Sequence, residues 1–116
     1  MKRLAGAIFA ALIVGVAPPV WGAITFTDGN ELYQSCQDEN AGSSAGYCFG
    51  YIFGVIDSLD GPDRGINGTK FCLREGVTGQ QVRDIVKNWL NANPQHRDYI
   101  SSSLVAVALA EAFPCK

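Results

Sequence analysis

The sequence predicts an all-α fold, a small disulfide-stabilised bundle of four to five helices. Apolar residues recur at helical spacing in four segments, and no alternating run of the kind typical of strands competes with them. The chain has only 116 residues, and all four cysteines follow its apolar amino-terminal segment. Short exported domains commonly depend on disulfides because their cores are small.

The amino-terminal segment predicts export. Two cations at positions 2 and 3 precede an uncharged, mostly apolar run that ends near Val20. We therefore expect residues 1–23 to be a cleaved signal peptide, cut after Gly22 or Ala23, and residues 24–116 to form the domain. A retained membrane anchor is the alternative, but the run is shorter than the ~20 residues of a spanning helix and ends in two prolines.

The charge balance disfavours one class of partner. The whole chain has a formal net charge of −2, and the predicted signal peptide removes two of its nine cations and no acidic residue. The remaining domain is therefore acidic and has no basic run. Such a domain is a poor candidate for binding nucleic acid and suits a basic or neutral protein better.

The cysteines predict two disulfides among Cys36, Cys48, Cys72 and Cys115. A zinc site is disfavoured because no C-x-x-C pair is present. An up-and-down bundle favours the pairs Cys36–Cys48 and Cys72–Cys115. If the polar loop that starts at Asp60 crosses the bundle, all four cysteines gather at one end and the preference disappears.

Residues 45–59 predict the most apolar helix of the domain. Gly46, Gly50 and Gly54 recur at every fourth position and share one face. Each glycine costs about 1 kcal/mol relative to alanine in a helix. That cost predicts a second backbone packed closely along the stripe. We therefore expect this helix to be buried at the centre of the bundle.

The other helices have recognisable ends. Asp28 with Glu31, and Thr78 with Gln81, form capping motifs ahead of the first and third helices. The third helix has an apolar stripe, and Arg83 falls on its polar face. Asn93-Pro94 is expected to stop it and to begin the fourth helix. The fourth apolar stripe consists of Leu104, Val105, Ala108, Leu109 and Ala112.

Catalytic and metal-binding patterns are weak. His96 is the single histidine, and its sequence neighbours include no nucleophile of a known motif. Asp57, Asp60 and Asp63 recur at every third position, which does not match the alternate-position ligands of a calcium loop. The sequence therefore predicts neither an enzyme nor a metal or other cofactor.

Several segments together resemble the Tai-type (Rap/Tai) immunity family. They cover most of residues 24–116 in one order: GNELYQSC, YCFGYIFGVID, FCLREGVTGQQVRDIV, NWLNANP and LVAVALAEAFPC. The YCFGYIFG and AFPC segments are the most distinctive. This family comprises periplasmic helical proteins that protect bacteria from amidase toxins of type VI secretion systems.

The resemblance implies a periplasmic homodimer that binds a peptidoglycan amidase and blocks its active-site cleft. For this function we expect the polar loop from Asp60 to Lys70 to protrude, with Asp63, Arg64 and Asn67 at its tip. The alternatives are that the loop is only a solvated connection, and that the protein is a housekeeping binder of the periplasm, a small-ligand carrier or holdase.

Overall fold

The computed structural model describes residues 27–39 and 42–116, and Gly15 alone before them. The predicted signal peptide lies outside the described residues except for that glycine, so its cleavage stays a prediction. The described part contains four α-helices and one short 3-10 helix, and its extended residues meet only in isolated bridges. The helices are α1 (Gly29–Gln37), α2 (Ser43–Leu59), α3 (Gly79–Ala92), the 3-10 helix (Pro94–His96) and α4 (Ser101–Ala112). The all-α prediction is confirmed.

Two helix starts follow the local chemistry of the sequence. The Asp28 side chain accepts a hydrogen bond of 3.0 Å from the Glu31 backbone N–H at the start of α1. The Thr78 hydroxyl accepts one of 3.1 Å from the Gln81 backbone N–H at the start of α3. Each bond satisfies an amide that has no partner within its helix, which confirms both predicted caps.

The central helix of the bundle is α4, not α2. Its buried residues form a broad face and not a single stripe, and Val105, Ala106 and Leu109 have no exposed surface. They belong to one core with apolar side chains of the three other helices and with Phe71 of the long loop. The other fully buried members include Leu32, Ile52, Phe71, Val86 and Leu90.

The prediction that α2 is the buried centre, with a backbone against its glycines, was wrong. The helix faces the core through a single stripe: Ala45, Cys48, Ile52 and Val55. Gly46, Gly50 and Gly54 are exposed, and a Cβ atom added to any of them would meet nothing within 4 Å. The helix also starts at Ser43, slightly before the predicted residue 45.

The close approach of two backbones occurs instead at Gly29, the first residue of α1. A Cβ atom there would lie 2.8 Å from the Arg97 Cα and 2.5 Å from a methyl group of Leu104. The segment between α3 and α4 packs here, and Gly29 N–H donates a 3.0 Å hydrogen bond to the Tyr99 carbonyl. Only glycine leaves room for this contact.

The segment between α3 and α4 differs from its prediction. Pro94 opens the 3-10 helix and not α4, which starts at Ser101 after an extended Ile100. Ser101 N–H donates to the Thr27 carbonyl at 2.9 Å, so the residues before α1 fix the start of α4. A tertiary hydrogen bond thus sets this boundary, and the residues near Pro94 do not.

Arg83 is buried, although the amphipathic pattern of α3 places it on the polar face. Only 4 % of its surface is exposed. Its guanidinium donates to the carbonyls of Cys36 at 3.0 Å and Asp38 at 2.9 Å, and it lies 5.4 Å from the centre of the Phe49 ring. The cation therefore satisfies carbonyl groups at the carboxyl end of α1, where intrahelical donors are missing.

The disulfides join Cys36 to Cys48 and Cys72 to Cys115, the pairing preferred from the up-and-down arrangement. The first fixes the start of α2 to the end of α1. The second fixes the chain after α4 to the return of the long loop. Among the described helices, none combines the length and the apolar character that crossing a membrane requires.

Candidate interaction surfaces

The long loop after α2 has a closed base. The Asp60 carboxylate accepts a 2.9 Å hydrogen bond from Leu73 N–H, and Gly61 N–H donates to the Phe71 carbonyl at 3.1 Å. Phe71 is completely buried. Asp60 was predicted as a partner-binding residue, and the structure places it at the foot of the loop, where it joins the outgoing and returning chain.

Asn67 and Gly68 form the turn of the loop. Both have left-handed backbones, with φ of 51° and 77°. Ile66 and Thr69 on either side exchange two backbone hydrogen bonds of 3.0 and 2.8 Å. Asn-Gly is the preferred pair for such a two-residue turn because both residues tolerate positive φ. The loop is therefore an ordered element.

The predicted partner-binding residues fall into two groups. Asp63 and Arg64 are exposed beside the carboxyl end of α2, where Arg64 Nη1 donates to the Asp57 carbonyl at 3.4 Å. Asn67 lies against α4, and its side-chain amide donates to the Ser103 hydroxyl at 3.4 Å. The structure therefore does not gather Asp60, Asp63, Arg64 and Asn67 into a single tip.

Asn67 also borders a groove that the sequence did not predict, which we call the α3–α4 groove. The groove has a volume of about 510 Å³ and lies between the end of α3, the 3-10 helix and one side of α4. Its described lining residues are Asn67, Trp89, Asn93, His96, Tyr99, Ile100, Ser103, Leu104, Val107 and Glu111.

Three aromatic rings follow one another in the α3–α4 groove. The rings of Trp89 and His96 are 6.3 Å apart and nearly parallel, and the His96 and Tyr99 rings are 5.8 Å apart. Trp89 Nε1 donates a 3.0 Å hydrogen bond to the Glu111 carboxylate. Tyr99 is 57 % exposed and its neighbour Ile100 is 50 % exposed. His96, the single histidine of the chain, thus belongs to an aromatic series.

A second unpredicted surface is the α2 glycine face, formed by Gly46, Gly50 and Gly54 with the partly exposed side chains of Tyr47 and Phe53, which reach Thr27 and Gly79 respectively. Tyr47 is 44 % exposed and Phe53 is 40 % exposed. No residue from Ser43 to Ile56 is charged. An uncharged helix face with two exposed aromatic side chains is typical of a surface that contacts another protein.

Tyr51 closes the side of α2 that faces α4. Partial burial raises the pKa of its phenol above the ordinary value of 10.0, and a hydrogen bond with Ser102 opposes this rise.

Within residues 27–39 and 42–116, no three His, Cys, Asp or Glu side chains are grouped to hold a metal ion. The surface features described here are suited to contact with another molecule.

Comparison with known families identifies a match over most of the chain. The model of the Rap1a immunity proteins matches residues 28–115, which include all four described α-helices and both disulfides. Searches among curated proteins and among solved structures returned no match to this chain.

Proposed function

Because the chain belongs to the family of Rap1a immunity proteins, we propose that it is a periplasmic immunity protein that binds a peptidoglycan amidase of a type VI secretion system and blocks its active-site cleft. The family match carries the proposal, since immunity proteins act by binding a cognate effector protein. The amidase, the secretion system and the periplasm are the parts that this proposal adds to family membership.

The architecture supports inhibition by shape. An inhibitor that is already ordered loses little conformational entropy when it binds, so more of its contact energy appears as affinity. The two disulfides and the hydrogen-bonded base of the long loop restrain the surfaces that a partner would meet. Disulfides also suit the oxidising periplasm, where an exported domain would acquire them.

The proposal includes a homodimer that pairs through the α2 glycine face. In a two-fold dimer the same patch meets itself. An axis through Gly50, the middle glycine, would place Gly46 of each copy against Gly54 of the other. Identical faces can approach because this stretch has no charge to repel its copy and no side chain on the stripe.

The effector-facing surface then consists of the long loop and the α3–α4 groove, which meet at Asn67. Asp63 and Arg64 present charges on the loop, and the groove presents aromatic and apolar side chains. The long loop and the α3–α4 groove share no residue with the α2 glycine face. One copy can therefore contact the second copy and an effector through different residues.

The test uses a purified type VI secretion amidase from a strain that carries this gene. The exported, oxidised protein is mixed with that amidase, and release of peptides from purified peptidoglycan is measured. We expect inhibition that is complete near one domain per amidase, while a muramidase that cuts the glycan strand stays fully active. Undiminished peptide release at excess protein would contradict the proposal.

The alternative of a small-ligand carrier requires an interior pocket, and the apolar α2 is the helix that could line one. The core stripe of α2 instead packs against buried side chains of the other helices, and its remaining face is open. No observation on the described residues favours the carrier over the immunity protein.

A further inference from the structure

We infer that the α3–α4 groove accepts a lysine or arginine side chain of the protein that this domain binds. The inference rests on the proposed function in one respect, namely that the partner is a protein. It adds the chemistry of the segment that the groove recognises.

The groove has a negatively charged side chain on its lining. Among the described residues that line it, Glu111 alone is charged. Its Oε2 atom accepts the 3.0 Å hydrogen bond from Trp89, which fixes the carboxylate at the edge of the indole ring. A carboxylate fixed in this position attracts a cation through its charge and its free hydrogen-bond acceptor sites.

The nearest cation along the chain does not occupy this position. Arg97 follows His96 directly, but its guanidinium lies 3.7 Å from the centre of the Tyr33 ring. Its Nε atom donates to the Leu90 carbonyl at 2.7 Å. Arg97 is thus engaged with α1 and the end of α3, and it is not a lining residue of the groove.

The rest of the groove suits the stem of a long cationic side chain. Leu104, Val107 and Ile100 supply an apolar surface, and the exposed Tyr99 ring lies at its edge. Lysine and arginine bury their methylene groups on such surfaces while the charged end meets a polar partner. The arrangement therefore favours a basic side chain over an acidic or a short one.

The test measures this preference directly with blocked peptides. The probes are acetyl-Leu-Arg-Leu-amide and the same peptide with citrulline, which keeps the shape of arginine without its charge. Trp89 is the single tryptophan after residue 23, so its indole N–H reports binding in an NMR titration. We expect saturable shifts and about threefold tighter binding of the arginine peptide.

Glu111→Gln is the decisive variant, because glutamine can still accept the Trp89 hydrogen bond while the charge is lost. We expect it to bind both peptides equally. Glu75→Gln is the matched control, since it removes an exposed carboxylate outside the groove and should keep the threefold preference. A wild-type protein that binds neither peptide, or binds both equally, would overturn the inference, as would an unchanged preference in Glu111→Gln.

Two further measurements separate this inference from the proposed function. If the wild type inhibits the amidase and Glu111→Gln inhibits it with the same Kd, the groove assignment fails and the immunity function stands. If the wild type does not inhibit, the proposed function fails, and the peptide titration still decides the groove chemistry. Indole shifts produced by a peptidoglycan disaccharide, without arginine preference, would replace the basic segment with a glycan.

Discussion

Helices α2 and α4 are similarly apolar, but they lie in opposite environments. The α4 helix packs a broad face of buried residues into the core, and its side towards the α3–α4 groove is open. The α2 helix buries one stripe and exposes three glycines and two aromatic rings. The difference shows that an apolar composition predicts burial of a helix but does not identify what buries it. The rest of the same chain buries α4, and we propose that a second copy of the protein covers the exposed face of α2.

The largest expected effect comes from the core side of this comparison. Leu109→Ala in α4 removes a side chain with no exposed surface. We expect it to lower the free energy of unfolding by about 2–5 kcal/mol, because it leaves a cavity in the core. Phe53→Ala in α2 should cost about 1–2 kcal/mol, since 40 % of this residue is already exposed. Urea denaturation measures both, and equal losses would contradict the contrast.

The second prediction concerns how α2 is held. Because it buries only one stripe, we expect α2 to depend strongly on the Cys36–Cys48 disulfide. Replacing both cysteines with alanine should cost about 3 kcal/mol, the chain-entropy value for a loop of this size. Hydrogen exchange should accelerate in α2 more than in α4. Uniform acceleration across both helices would show that α2 is no less integrated than α4.

The third prediction separates the single chain from the proposed dimer. Gly50→Ala places a methyl group in open space on an exposed helix position. It should stabilise the monomer by about 1 kcal/mol in thermal unfolding at low concentration. In sedimentation it should weaken self-association, because the methyl group enters the contact between copies. Stabilisation with unchanged association would remove the α2 glycine face from the dimer.

The smallest expected effect is the pH response of Tyr51, which lies between the two helices. Its pKa is raised in the folded protein, so above pH 10.0 the unfolded chain loses this proton more readily. The free energy of unfolding should therefore fall as pH rises from 10.0 towards the raised pKa. Tyr51→Phe should reduce this decline in melts between about pH 9 and 11. An equally steep decline in the variant would contradict it.

Features set by neighbouring residues could be predicted from the sequence. The caps at Asp28 and Thr78 each need one side chain and one nearby amide, and both are present as expected. The all-α fold follows from helical periodicity. The family resemblance follows from several segments, most of them around the cysteines, that occur in one order along the chain. The preferred disulfide pairing, which the structure has, depended on the assumption of an up-and-down arrangement of the helices.

Features set by distant residues could not be predicted. A glycine stripe fits either a close backbone or an open face, and the pattern does not distinguish them. Arg83 is buried because carbonyls of α1 need donors, a demand that α3 alone does not reveal. The α3–α4 groove draws on Asn67, Trp89 and Glu111 from separate parts of the chain, so only the folded structure brings them together.

The two disulfides are consecutive along the chain and do not nest or cross. One ring closes at Cys48 before the other opens at Cys72, and the exposed residues Asp63 and Arg64 lie in the stretch between them. A single protease cut in that stretch would leave two fragments with no covalent link. They would separate on a denaturing, non-reducing gel and stay together in native buffer. Each cross-link thus secures its own half, and after such a cut only packing and hydrogen bonds would hold the halves to one another.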